Sequence, residues 1–457
     1  MRTLQTVEVH GLFGYVDHTI NVRQDGPTII TAPNGAGKTH LLNIAKHALG
    51  LDIDRLAAIP FRAAHFYFSS GESLAVEREA NPGEYGALSF SLQVGGKTVE
   101  GPTRYPATRT EEQPGIPAHL EERPDGSWYD LRNGRVVTRR YVESAYNIKT
   151  PEPRSARFRE TPRILEMSDA LRPILIDTKR LDAPKPNDRR NWRESDPSAV
   201  VAGRIQRYVL RIGAEVVQAR RNSIRATQRS DVSFAMRALA VASETIRETE
   251  LHARYDRIVE SYERLSKNGL AIGEELPPFP EKTTPTVRRI LSPFLDDWEA
   301  RLQPLLPLNE KLETLRGILD AKLRESGKRT TIDGDGRLGF ESVSGRKIRV
   351  ASLSSGEQHL VALFTELLFT AAQGSVVLID EPEISMHAAW QHAFLEDITR
   401  VSSVANHQVI LATHSPAIVN GRWDLEEPLT LTLPPENSSG DLDESELELE
   451  ELLGGLE

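Results

Sequence analysis

The sequence predicts an α/β protein: a mixed sheet with helical cover plus an antiparallel subsheet, and a helical insertion between two lobes. Strand and helix patterns alternate over residues 339–412, which argues for a parallel sheet covered by helices. Short alternating runs divided by glycine turns occupy 64–100, as in an antiparallel sheet; His65-Phe66-Tyr67-Phe68 and Leu88-Ser89-Phe90-Ser91-Leu92 are examples. Between these regions, over 197–323, the periodicity is helical and glycines are few.

Taken in order, Leu4 to Val9 alternates apolar and polar residues, the period of a half-buried strand. Gly11-Leu12-Phe13-Gly14 turns the chain into a second run, Asp17-His18-Thr19-Ile20-Asn21-Val22. A third strand, Thr28-Ile29-Ile30-Thr31, enters Ala32-Pro33-Asn34-Gly35-Ala36-Gly37-Lys38-Thr39. Apolar residues at Leu41, Leu42, Ile44, Ala45 and Ala48 then mark a helix over 40–49 closed by Gly50. Residues 101–170, rich in Pro, Arg and Glu, yield no clear element, and Pro173-Ile174-Leu175-Ile176-Asp177 is a short buried strand. Four or five helices are expected over 197–323, arranged as a short antiparallel hairpin and broken by Pro277, Pro278 and Pro280. They lack the sustained apolar heptads of a long coiled coil. Strands return over 339–350, followed by a helix (355–372), a strand (376–379), a helix (388–401) and a strand (408–412). The expected division is 1–100 and 101–196 for the first lobe, 197–325 for the insertion, 326–435 for the second lobe and 436–457 for an acidic tail.

Length and composition bound the function classes. With 457 residues, 39% hydrophobic and 27% charged, the chain can bury a large core in about two to four domains. The absence of cysteine excludes disulfide scaffolds, zinc ribbons, iron–sulfur centres and thiol nucleophiles. The N-terminus has no apolar leader and no long apolar run follows, so a cytoplasmic protein without a membrane span is expected. The net charge of −10 is local: residues 436–457 carry nine acids and no Lys or Arg, leaving the rest at −1.

Residues 32–39 have the make-up of a phosphate loop. Gly35 and Gly37 let successive backbone N–H groups face an anion, and the following helix points its positive end there. In such a loop Lys38 reaches the β- and γ-phosphates of a nucleotide and the Thr39 hydroxyl ligates Mg²⁺. Ala32 stands where the first glycine is usual, and for the loop alone an ordinary strand–helix turn stays open. A second run, Val376-Val377-Leu378-Ile379-Asp380-Glu381-Pro382-Glu383, is a buried strand ending in carboxylates, one placed for a metal and the next for attacking water. Two more segments complete the set: Ser352-Leu353-Ser354-Ser355-Gly356-Glu357-Gln358 opens a helix, and Ala412-Thr413-His414-Ser415-Pro416 ends a strand.

These four motifs, in this order, resemble a P-loop ABC-type ATPase head of the RecF, SMC and OLD group. Gly356 lies 318 residues after Lys38, the split-head arrangement of that group. More narrowly, Gly11-Leu12-Phe13-Gly14, Leu353 to His359, Asp380 to His387 and Asn420-Gly421-Arg422-Trp423-Asp424-Leu425 resemble stand-alone AAA ATPases of bacterial anti-phage systems, Septu and retron-associated ones among them. The resemblance implies ATP and Mg²⁺. It assigns phosphates to Asn34, Gly35, Ala36, Gly37, Lys38 and Thr39, the metal to Thr39 and Asp380, polarisation of water to Glu381, and γ-phosphate sensing to His414. It assigns Ser354, Ser355 and Gly356 to a nucleotide held by a second protomer, hence a homodimer or larger homo-oligomer; Ser355 replaces a usual glycine. His387 and His414 lack companions for a metal site, so a switch or surface role is expected. About 25 residues follow the head, too few for a nuclease domain, so cleavage is expected from an effector partner, most simply a nuclease, in anti-phage defence. The alternative is an SMC- or RecF-like repair ATPase acting directly on DNA.

Arg204, Arg207 and Arg211, and Arg221, Arg225 and Arg229, fall into two helical stripes. Nucleic-acid phosphates or the acids of 244–263 are the two partners left open. In the tail, Glu alternates with Leu from Glu446 to Leu449, which suits either a solvated segment or a peptide anchored on a partner by its leucines.

Overall fold

Antiparallel and parallel strands segregate into separate sheets in the computed structural model, which describes residues 2–33, 35–78, 87–106, 120–122, 128–130, 135–146, 154–177, 197–240, 247–271, 276–334 and 336–429. Strands β1 (Leu4–Leu12), β2 (Val16–Asn21), β4 (Ala63–Phe68), β5 (Glu72–Arg78), β6 (Leu88–Val94) and β7 (Lys97–Tyr105) form an antiparallel sheet in the order β2-β1-β4-β5-β6-β7. Strands β3 (Thr28–Thr31), β11 (Ile174–Asp177), β15 (Val376–Asp380), β16 (Gln408–Thr413) and β17 (Glu426–Pro428) form a parallel sheet in the order β11-β15-β16-β3-β17. Two small sheets complete the set: β8 (Leu120–Glu122), β9 (Trp128–Asp130) and β10 (Arg135–Val137), and β12 (Lys328–Ile332), β13 (Leu338–Ser342) and β14 (Lys347–Ile348).

The parallel sheet divides the interior. All of β15 is buried, as expected for a strand covered on both faces. Its alternation sends Val376 and Leu378 to one core and Val377 and Ile379 to the other. The first core holds helix α1 (Lys38–Leu49) between the two large sheets, with Leu41, Leu42, Ile44 and Ala45 buried. Gly50 ends that helix as the sequence predicts, its N–H donating to Lys46 O at 2.9 Å. The second core joins the sheet to the C-terminal helices and the helical segment.

Helices α2 (Ile53–Ala57), α3 (Arg139–Tyr146), α4 (Arg154–Arg157) and α5 (Pro162–Leu171) lie in or near the first half. The middle holds α6 (Pro197–Ala240), α7 (Glu248–Lys267), α8 (Pro285–Leu302) and α9 (Leu306–Leu323). Among the described residues these four helices fall within the expected four or five, but α6 alone runs 44 residues where shorter pieces were expected. Its inward side chains Ile205, Ile212, Val216 and Ala219 follow one continuous helical face. The C-terminal half continues with α10 (Ser355–Thr365), α11 (Ala388–Ala405) and α12 (Pro416–Val419). The helix expected over 355–372 stops earlier, passing into a π-turn at Glu366–Thr370. Residues 101–170 do carry structure, including β8 to β10 and α3 to α5. The tail from Glu436 lies outside the described residues. Among the described residues no helix is long and apolar enough to cross a membrane.

Candidate nucleotide site

Register brings the chemistry to one edge. Asp380 of β15 is paired with Ala412 of β16, and Thr413 with Thr31 of β3, so three strands end together. The 32–39 loop leaves β3 at that edge. Gly35 and Gly37 have φ of 84° and 87°, which favours glycine. A Cβ on Gly37 would lie 2.7 Å from Leu12 Cδ2, so the loop also needs glycine for space.

From there α1 starts directly with Lys38, and Gly37 caps it without a side chain. Lys38 is buried, its ammonium donating to the carbonyls of Ala32 (2.6 Å) and Pro33 (3.2 Å). The Thr39 hydroxyl donates to Asp380 Oδ2 at 2.8 Å. Asn34 lies outside the described residues. Gly35, Ala36, Gly37, Lys38, Thr39, His40, Phe13, Glu381 and His414 line a cleft of about 500 Å³.

Glu381 follows β15 with φ 43° and ψ 60°, a left-handed conformation that costs a non-glycine residue about 1–3 kcal/mol. Its N–H donates to Ala412 O at 2.9 Å, which holds the turn and swings the carboxylate out of line with the strand. His414 faces it: Nδ1 lies 3.7 Å from Glu381 Oε1 and 3.2 Å from Glu383 Oε1.

Sequence reading left three residues of this neighbourhood without a role. Glu383 is buried, and its Oε1 accepts from the Thr413 hydroxyl (2.8 Å) and the His414 N–H (3.1 Å). It ties the ends of β15 and β16 together, and its place two residues after Glu381 was the available signal. His18 is buried beneath the loop, Nε2 donating to Ala36 O at 2.8 Å, and burial holds its pKa below the ordinary histidine value. The alternation Val16, His18, Ile20 points it inward. Phe13, in the β1–β2 turn, packs edge-on against His40 with centroids 4.9 Å apart and forms a wall of the cleft.

The Ser354 segment is built separately. Ser354 caps α10 in a capping box: its Oγ accepts from Glu357 N (3.3 Å) and its N–H donates to Glu357 Oε2 (2.7 Å). Burial acts to raise the Glu357 carboxyl, but the Lys328 ammonium, the Ser326 hydroxyl and the Ser354 N–H together hold it below the ordinary glutamate value. Ser354 and Ser355 are exposed, Gly356 is half-buried, and none of the three lines the cleft.

Hard oxygen donors suit a small divalent cation, and two lie together here: Thr39, which lines the cleft, and the buried Asp380 carboxylate hydrogen-bonded to it. No group of three His, Asp or Glu gathers for a metal among the described residues. His387 caps α11, accepting from Ala389 N at 3.3 Å. Of the arginine stripes, Arg204 and Arg207 lie in α6 with side chains outside the described residues, and Arg211 is half-buried. Arg221, Arg225 and Arg229 are exposed.

Residues 28–420 match the family model described as "AAA domain, putative AbiEii toxin, Type IV TA system". Protein ea59 of Escherichia phage lambda is 29% identical over 100 residues, covering 21% of this chain and 18% of that protein. The match thus spans well under two thirds of that relative. Two solved structures are similar over nearly the whole chain. The Smc head domain with an extended coiled coil bound to the C-terminal domain of ScpA, from Pyrococcus furiosus, is 14% identical, with a TM-score of 0.36 over 99% of this chain and 100% of that one. The SMC head domain from Thermotoga maritima is 12% identical, with a TM-score of 0.32 over 94% and 95%.

Proposed function

Because the chain belongs to this AAA-domain family, we propose that it is an ATP-driven switch in anti-phage defence: two copies close around nucleotide, and the closed pair controls an effector protein, a nuclease. ATP binding and hydrolysis come with the family; the dimer, the metal and the effector are our reading. What supports the dimer is the division of the machinery. Lys38, Thr39, Glu381 and His414 belong to one cleft, while exposed Ser354 and Ser355 sit at a separate helix end outside it. A second copy would bring that helix end to the open side of the cleft.

In this reading Lys38 leaves the loop carbonyls to pair with β- and γ-phosphate oxygens, which the N–H groups of Gly35 to Thr39 also bind. Asn34 contributes to the same cradle. Thr39 and Asp380 would hold Mg²⁺, which would supply neutralisation of the charge developing on the phosphates. Glu381 orients and polarises the attacking water, and His414, held by Glu383, senses the γ-phosphate. The defence role in this reading takes its suggestion from the toxin–antitoxin wording of the family description. Direct action on nucleic acid is a second reading, favoured by the exposure of Arg221, Arg225 and Arg229.

The test pairs Glu381→Gln, which keeps binding but cannot polarise water, with Lys38→Ala, which loses the phosphate charge. Light scattering should show Glu381→Gln shifting from monomer to dimer on adding ATP and Mg²⁺, and pulling down the neighbouring gene's product only then. Equal monomer content with and without ATP would overturn the dimer; ATP-dependent binding of duplex DNA with no protein partner would favour the second reading.

A further inference from the structure

Beyond Leu210, the outward face of α6 carries an apolar and basic stripe. Leu210, Val217 and Ile224 repeat every seven residues and are exposed. Val232, Met236 and Leu239 continue the face with 88%, 72% and 83% of their surface open. On a helix of 3.6 residues per turn all six fall on one side, opposite Ile205, Ile212 and Val216. Arg221, Arg225 and Arg229 sit in the middle of that side. They are exposed, and their guanidinium groups make no hydrogen bond or ion pair among the described residues. Neighbouring arginines are committed elsewhere: Arg220 donates to Gly334 O, and Arg237 pairs with Asp297.

We propose that residues 441–453 of the same chain dock on this face, setting their acids against Arg221, Arg225 and Arg229 and their leucines against the apolar residues on either side. The segment is complementary in both respects. From Asp441 to Leu453 it has seven acids, no Lys or Arg, and leucines at 442, 447, 449, 452 and 453. A helix there would gather Leu442, Leu449 and Leu453 on one side. Eleven intervening residues, 430–440, can span about 36–40 Å when extended.

Other occupants fit less well. A nucleic-acid backbone would satisfy the three arginines but leave six large apolar side chains facing phosphates and water. A second copy laid antiparallel about Arg225 would set Arg221 against Arg229, bringing like charges together.

The chain has no cysteine, so two introduced thiols report on a single pair. The experiment uses the full chain without nucleotide, which separates its outcome from that of the ATP-dependent dimer. Gln228→Cys with Ser445→Cys should be joined within one chain by a short bismaleimide, read as a linked peptide by mass spectrometry. Val99→Cys, in β7 of the antiparallel sheet, paired with Ser445→Cys should not link. Reversing Arg221, Arg225 and Arg229 to Glu should slow linking about tenfold, the effect of losing three exposed ion pairs. Leu449→Ser with Leu453→Ser, which leaves the described body untouched, should slow it too. No link at position 228, equal linking at position 99, or a rate indifferent to both sets of changes would overturn the proposal. So would links found only between two chains, or protection of the thiol at position 228 by duplex DNA without any link to position 445.

Discussion

Lys328→Met should strip a buried carboxylate of its cation. The Lys328 ammonium lies 2.7 and 2.9 Å from the two oxygens of Glu357, whose side chain is only 3% exposed. Removing one partner of a buried pair costs about 3–5 kcal/mol. Lys328 itself is 20% exposed, and Ser326 Oγ and the Ser354 N–H still serve the carboxylate, so about 2–3 kcal/mol is expected at pH 7. The assay is the urea midpoint of wild type, Lys328→Met, Glu357→Gln and the double variant. A neutral amide needs no cation, so the double variant should recover to within about 1 kcal/mol of Glu357→Gln. The pH dependence has a definite sign. Glu357 is held below its ordinary value of 4.5, so its contribution is full above that value and is lost as pH falls through the folded one. The deficit of Lys328→Met should therefore shrink in acid. A single-variant cost under about 0.5 kcal/mol, or a double variant worse than the single, would refute the charge argument.

Gly37→Ala should lower stability by about 1–3 kcal/mol, since φ 87° and the Leu12 contact both oppose a Cβ; thermal shift should also lose its response to ATP. Lys38→Ala should reduce ATP binding below detection in calorimetry, and wild-type hydrolysis by that variant would displace the site. Thr413→Val removes the donor to Glu383 Oε1 and should cost about 1–3 kcal/mol. It should lower kcat more than it raises KM, with Thr413→Ser restoring both.

The phosphate loop was legible because its residue types have few other uses together, and Asp380 because a fully apolar run ended in acids. Glu383 stands in the same run, but its task is invisible there, since only the return of β16 brings it the Thr413 hydroxyl and the His414 N–H. His18 was visible in principle from its inward register in β2. The unbroken length of α6 was hidden because its surface mixes arginines with Leu210, Val217 and Ile224, which obscures the seam that Ile205, Ile212 and Val216 trace. Residues 101–170 escaped because strands of three residues such as β8, β9 and β10 leave too little period to read. The same brevity hid β17.

The order β11-β15-β16-β3-β17 also dictates when the molecule comes into being during synthesis. The antiparallel strands β1, β2 and β4 to β7 pair with near neighbours in sequence and can form as soon as they emerge. β3 cannot: its partners β16 and β17 begin at Gln408 and Glu426, and at about 5–20 residues per second they follow it by roughly 20–75 s. Throughout that interval Ile29 and Ile30, fully buried in the finished protein, wait on a strand that has neither of its hydrogen-bonding neighbours. A chain interrupted before Gln408 would thus have the lysine and the glycines but neither of the strands that β3 pairs with.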